Sequence, residues 1–311
     1  MARHKKSDGP LRPFLKWAGG KSQILAELVS RVPEQFGCYH EPFVGGGALF
    51  FRLKTLGRLR RARLSDVNPE LVNAWKVLRD TPNDLVAELE KLEELLSEEQ
   101  FYEIRARDPG PMLPAERAAR LLYLNKTCFN GLYRENSKGR FNVPYGRYKR
   151  ARVLDRELLL ADSKALEKVT ITSEPFQKIV KHAKAGDFVY FDPPYHPVSA
   201  TSYFTSYARA GFGEQEQRVL AQVFAELAER GVHVLLSNSD CPFVRELYEE
   251  RGFEISRIEA ARSINSKSDK RGPVGELLVR AGGPEFAQKK PGAGPARDQL
   301  GIDFSRADKV A

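Results

Sequence analysis

Hydrophobic and polar positions along the chain switch between a strand period and a helix period, and the order of switching predicts the architecture. Residues 39–43 read as a short strand that leads through Gly45-Gly46-Gly47 into a helical pattern over residues 48–56. Residues 62–65 read as a second short strand, followed by Asp66-Val67-Asn68-Pro69 and a helix reaching residue 78. Alternation then stops. Residues 82–125 keep a helical period throughout, and residues 126–153 read as loop. Alternation resumes with strands over residues 169–172, 188–191, 232–236 and 253–258 and helices over residues 175–182, 215–230 and 242–250; residues 276–279 close the sheet. Phe14-Leu15-Lys16-Trp17-Ala18-Gly19-Gly20-Lys21 falls in the first helix of this reading.

Such a pattern predicts an α/β sheet with a helical block inserted between its second and third strands. The predicted division is a basic arm over residues 1–9, a sheet domain over residues 10–80 and 155–281, an inserted domain over residues 81–154, and a tail over residues 282–311. Arm and tail lack periodicity and read as disordered. No apolar run approaches the roughly 20 residues that cross a bilayer, and the basic start has no apolar stretch behind it, so neither membrane nor export is expected. Cys38, Cys128 and Cys241 are far apart and form no Cys-x-x-Cys pair, which predicts a reducing, cytoplasmic setting without a disulfide framework. The five histidines are scattered too, so no metal is expected.

Charge changes the picture. The formal net charge is +9, which favours a polyanionic partner. Between Lys126 and Arg156 nine basic residues face only Glu135 and Asp155. Phe129, Tyr133, Phe141, Tyr145 and Tyr148 are interleaved among them, and rings between cations suit nucleic acid better than a merely solvated face does.

Two segments carry candidate chemistry. Asp192-Pro193-Pro194-Tyr195 follows the apolar run Phe188-Val189-Tyr190-Phe191, so a carboxylate and an aromatic ring stand at the carboxyl end of a buried strand. Neither proline has an N–H, which leaves nearby carbonyls as acceptors without competing donors. Acceptors beside a ring suit an exocyclic –NH₂ on a flat base, although an ordinary Pro-Pro turn has the same sequence. Glu41-Pro42-Phe43-Val44-Gly45-Gly46-Gly47 is the second segment, with Asp66 roughly 20 residues on, where a carboxylate can accept ribose hydroxyls. The glycine spacing fails the dinucleotide pattern, and Gly20-Lys21-Ser22 lacks the Gly a Walker loop needs. An adenosyl cofactor without a pyrophosphate, S-adenosylmethionine, fits better; a structural turn with a helix-capping Asp fits as well.

Taken in order, these segments resemble the DNA adenine methylase (Dam) family of S-adenosylmethionine-dependent adenine methyltransferases, α class. The likeness runs from about Phe14 to Val279. It also includes Tyr123-Leu124-Asn125, Phe129-Asn130-Gly131-Leu132-Tyr133-Arg134, Phe141 to Lys149, Ser199-Ala200-Thr201 and Arg262-Ser263-Ile264. It implies an α/β, Rossmann-like S-adenosylmethionine-dependent methyltransferase sheet with an inserted, mainly helical DNA-recognition domain. By the same likeness Trp17, Lys21, Phe43, Gly45 and Asp66 contact the cofactor. Asp192 is catalytic and also lies near the cofactor, with Pro193 and Tyr195 beside it. Lys16 touches a base outside the target, Phe129 and Asn130 wedge into the duplex, and Arg134 reads a guanine edge. Leu132, Asn136, Arg147 and Tyr148 complete the DNA-contacting set. The implied partner is double-stranded DNA, methylated on adenine within GATC, with no obligate protein partner. Lys126-Thr127-Cys128 ahead of the wedge departs from the family pattern.

An amino nitrogen conjugated to a purine is a poor nucleophile, so acceptors on its hydrogens and precise positioning are what such a site must supply. Tyr195, with Tyr203 or Phe204, would stack on an extruded base. Two other classes stay open at this stage. One is a methyltransferase acting on RNA or a protein amide; the other is a non-catalytic DNA-binding regulator, although no helix-turn-helix stands out. A zinc deaminase is excluded, because His-x-Glu and Pro-Cys-x-x-Cys are both missing.

Overall fold

The computed structural model describes residues 11–148, 151–197, 212–260 and 274–284. In chain order the elements begin with α1 (Leu25–Arg31), β1 (Cys38–Glu41), α2 (Ala48–Thr55), β2 (Arg61–Asp66) and α3 (Pro69–Asp80). Three helices follow, α4 (Pro82–Glu93), α5 (Glu98–Ala106) and α6 (Pro114–Thr127), then α7 (Arg156–Ala165) and β3 (Thr170–Ser173). The chain continues through α8 (Ile179–His182), β4 (Phe188–Phe191), α9 (Glu214–Glu229), β5 (His233–Ser239), α10 (Pro242–Glu249), β6 (Glu254–Ala260) and β7 (Val274–Ala281). The strands form one seven-stranded sheet in the order β3-β2-β1-β4-β5-β7-β6. Among the described residues no helix is long and apolar enough to cross a membrane.

Contacts divide the chain into two compact units, Met1–Ser30 with Phe43–Ser173 and Arg31–Pro42 with Glu174–Ala311. In the first, β2 pairs parallel with β3, and the core gathers around Trp75, which is fully buried. Its ring stacks on Phe51 at 5.5 Å and meets Phe14 edge-on at 5.0 Å. α3 starts where Asn68 accepts from the backbone N–H of Glu70 and Leu71, with Pro69 at the first helical position, where its missing N–H costs nothing. In the second unit β4 pairs parallel with β1 and β5, and all four of its residues are buried, as expected of a strand covered on both faces. α9 packs an apolar face made by Leu220, Ala221, Phe224, Leu227 and Ala228 at helical spacing.

Three readings of the sequence change. Phe14–Lys21 is not helical: the first helix starts at Leu25, because Gly19 at φ +84° and the glycine after it break the period. After the basic stretch the sequence reading has no counterpart of α7, though Asp155 caps it by accepting from the Leu158 N–H. The last strand does not sit at an edge. β7 runs antiparallel between β5 and β6 and leaves β6 outermost, which explains why Leu277, Leu278 and Val279 are almost completely buried. The helical block is real but is three helices, interrupted after Glu93 and Ala106. Ser199-Ala200-Thr201, Tyr203, Phe204, Arg262-Ser263-Ile264 and Lys149, as well as the arm and nearly all of the tail, lie outside the described residues.

Candidate active site and nucleic-acid interface

In the first unit the glycine turn after β1 is shaped by what it must pass. Gly45 has φ +48°, and a Cβ there would stand 2.8 Å from the Trp17 ring. Gly47, at φ +66°, would drive a Cβ to 2.6 Å from Trp75. Only glycine admits both the left-handed backbone and the two indoles. The Val44 N–H donates to the Ser65 carbonyl, the Gly45 N–H to Asp66 Oδ2 at 3.3 Å, and the Asn68 N–H to Asp66 Oδ1 at 3.0 Å. Phe43 is half-buried at the turn's start. Burial raises the Asp66 carboxyl to about 6, against the pull of backbone N–H donors from Asn68, Gly45 and Val67. Beside it Val67 is 64% exposed, an apolar side chain left open next to a carboxylate.

Trp17 is half-buried and stacks on Tyr133, with centroids 5.2 Å apart and planes 27° from parallel. Lys21 is buried, and its Nζ donates to the Gly19 carbonyl at 2.6 Å. The structure therefore brings Trp17, Gly45 and Asp66 into one neighbourhood.

The predicted DNA contacts cluster in the same unit. Asn125 is 1% exposed and staples two strands of loop: its Oδ1 accepts from the Lys16 N–H at 2.8 Å, and its Nδ2 donates to the carbonyls of Lys16 and Gly131. Lys16 itself reaches outward, with Nζ 5.1 Å from the Tyr148 ring. A 3₁₀ turn over Phe129–Gly131 follows α6. The Phe129 N–H is fixed to the Pro144 carbonyl at 2.8 Å, while its ring is 47% exposed. Asn130 adopts φ 56°, a left-handed conformation that Asn tolerates better than most residues, and is exposed. Leu132 is half-buried.

Arg134 is exposed and lies back on Asn142, with Nε donating to Oδ1 at 2.6 Å and Nη2 to the carbonyl at 3.1 Å. Asn136 shapes the next turn, its Oδ1 accepting from the N–H groups of Lys138 and Arg140. Arg147 is exposed at φ 52° and reaches Glu98 only at 3.7 Å.

In the second unit the turn after β4 is held from several sides. Asp192 is half-buried and its Oδ1 accepts from Ser237 Oγ at 3.0 Å; that hydroxyl also lies 2.9 Å from the Tyr190 hydroxyl. Pro193 is buried. The Pro194 carbonyl accepts from Gln217 Nε2 at 2.9 Å, and Gln217 Oε1 accepts from Asn238 Nδ2. Asn238 Oδ1 accepts in turn from the His196 N–H. Tyr195 donates its hydroxyl to Glu276 Oε2 at 2.7 Å. Burial holds the Tyr195 phenol well above its ordinary range, with the Asp192 charge adding to the effect. Tyr39 and Tyr190 are held high in the same way, with Glu41 reinforcing Tyr39 and Asp192 reinforcing Tyr190. Three carboxylates and three neutral phenols thus mark the carboxyl ends of β1 and β4 and the neighbouring part of β7.

Gln217, Ser237, Asn238 and Glu276 are absent from the sequence reading. Their signal was polarity in the wrong place: Ser237-Asn238-Ser239 extends the apolar Val234-Leu235-Leu236, and Gln217 falls on the buried face of α9.

The sheet is mixed, with a glycine turn after β1, a carboxylate ending β2 and an acidic aromatic turn after β4. Residues 17–264 match the D12 class N6 adenine-specific DNA methyltransferases, and the chain belongs to that family. A type II methyltransferase of Lactococcus lactis, M1.LlaDCHI, is 44% identical over 86% of this chain and 95% of its own. The type II methyltransferase M.MjaIII of Methanocaldococcus jannaschii is 41% identical over 86% and 98%. A DNA adenine methylase of Haemophilus influenzae is 35% identical over 86% and 93%.

Proposed function

We propose that the chain methylates the exocyclic amino nitrogen of an adenine extruded from double-stranded DNA, within GATC, using S-adenosylmethionine. The observation that carries this reading is the turn after β4, where a carboxylate, a carbonyl-bearing proline pair and a tethered phenol ring stand at the end of a buried strand. That set matches the amino edge and the flat face of one base.

The residues of the first unit fit an adenosyl group. The Gly45 backbone lies bare against Trp17, Asp66 offers a carboxylate, and Val67 offers an open apolar side chain. Trp17, Lys21, Phe43, Gly45 and Asp66 would hold the cofactor; when bound it supplies an electrophilic methyl group. Asp192 and the Pro193 carbonyl accept the two amino hydrogens and favour a more tetrahedral nitrogen, whose lone pair is then available. Tyr195 stacks on the base and Ser237 keeps the carboxylate aimed. Asp192 need not be a strong base, since the surplus proton can leave after the nitrogen has become cationic.

Among the proposed DNA contacts, the exposed ring of Phe129 and left-handed Asn130 support a wedge, and the guanidinium fork of Arg134 supports guanine reading. Lys16, Leu132, Asn136, Arg147 and Tyr148 would complete the interface. Tritiated methyl transfer to short duplexes tests the proposal, comparing GATC with GATC already methylated on its adenines. Label entering only the unmodified duplex supports both acceptor and site. Label entering other sequences instead overturns GATC, and no label in any DNA overturns the substrate.

A further inference from the structure

Tyr195 is anchored through the backbone on either side of it and through its hydroxyl. Before it, the Pro194 carbonyl is bound by Gln217, which is 1% exposed; after it, the His196 N–H is bound by Asn238, which is fully buried. Ser239 Oγ adds a bond to the His196 carbonyl. These contacts fix the backbone on either side of the tyrosine. The hydroxyl at the far end of the ring donates to Glu276 Oε2 at 2.7 Å. Glu276 comes from β7, facing Ser239 of β5 and Ile258 of β6 in the sheet register, so its own backbone is fixed by pairing on both sides. The phenol stays protonated well beyond neutral pH, so the donor is always present.

We propose that Glu276 is a positioning residue for methyl transfer: its hydrogen bond to the Tyr195 hydroxyl holds in place the ring on which the extruded adenine stacks. The inference rests on the reading of Tyr195 as the stacking platform given above. An interaction that orients a substrate without touching it acts on the approach of the reacting atoms, where small misplacements lower the rate steeply. Glu276 therefore matters to turnover more than to cofactor affinity.

The test is a double-mutant cycle on the full chain. E276A and Y195F should each lower kcat on the duplex about tenfold, with KM for S-adenosylmethionine changed less than about twofold. The double variant should be no slower than Y195F, because the bond that E276A removes is already gone there. E276Q, whose amide oxygen accepts the same hydrogen bond, should restore most of what E276A loses. Losses that multiply in the double variant, or an E276A enzyme at full kcat, overturn the proposal. A second measurement needs no substrate: the ¹³C-labelled Tyr195 ring resonance, assigned by its loss in Y195F, should be sharp in the wild type and in E276Q and broadened in E276A. An unchanged ring signal in E276A overturns the tether. If the wild-type chain transfers no methyl group to duplex adenine, the stacking role falls, and the ring signal still decides whether Glu276 holds Tyr195.

Discussion

The turn after β4 and the segment after α6 hold their side chains in opposite ways. In the turn, Asp192 and Tyr195 are each bound by a side chain from another strand, and the backbone around them is held by buried amides from α9 and β5. In the segment, backbone is pinned while side chains stand free of the core: Phe129 is fixed through its N–H, Arg134 rests on its hairpin neighbour Asn142, and Asn136 turns its own loop. One region is built to keep atoms still. The other presents exposed side chains from a firm backbone.

The sharpest way to break the comparison is Asp192→Ala. Methyl transfer should fall about 10³-fold, the scale seen when one preorganised electrostatic contact is removed, and tritium incorporation measures it. Retained activity would show that the turn is only structural. Next comes Asn125→Ala, which strips buried partners from the Lys16 N–H and the carbonyls of Lys16 and Gly131. Unsatisfied groups of this kind cost about 1–3 kcal/mol each, so urea unfolding should show a loss of roughly 3 kcal/mol. Stability near the wild-type value would mean that the segment after α6 does not depend on its backbone anchor.

Arg134→Ala should leave kcat on the best duplex within a fewfold and erode discrimination against a substituted guanine by about 1–3 kcal/mol in kcat/KM. Equal losses on every duplex would make Arg134 a phosphate contact. The smallest effect concerns pH. With the Asp66 carboxyl raised to about 6 in the folded chain, the native state binds a proton that the unfolded chain has lost above its ordinary value near 3.8. Stability therefore falls as pH rises from about 4 to about 6, by on the order of 2 kcal/mol. Asp66→Asn should flatten that part of the profile in thermal melts. It should also weaken cofactor binding most at pH 8, where the wild-type carboxylate is ionised.

Much of this was legible before the fold was known. The apolar run Phe188–Phe191 announced a central strand, and Asp192, Gly45 and Asp66 announced what stands at strand ends, since local period and turn chemistry write those features directly. Glu276 shows the limit. Its residue type and strand were readable, but its partner Tyr195 is 81 positions away and meets it only through sheet pairing. Gln217 was hidden for the converse reason: a polar residue on an apolar helix face looks like noise until the carbonyl it serves is seen.

By itself, then, the sequence determined the alternation of strands and helices, the helical block between the second and third strands, and the charge of the region after α6. Each of these depends on neighbours a few positions away. Tertiary structure alone decided that β7 lies between β5 and β6, that Asn125 ties Lys16 to Gly131, and that the tyrosine after two prolines is held by a glutamate from another strand. Those outcomes rest on contacts between distant positions, where burial and hydrogen-bond satisfaction, rather than local propensity, select the partner.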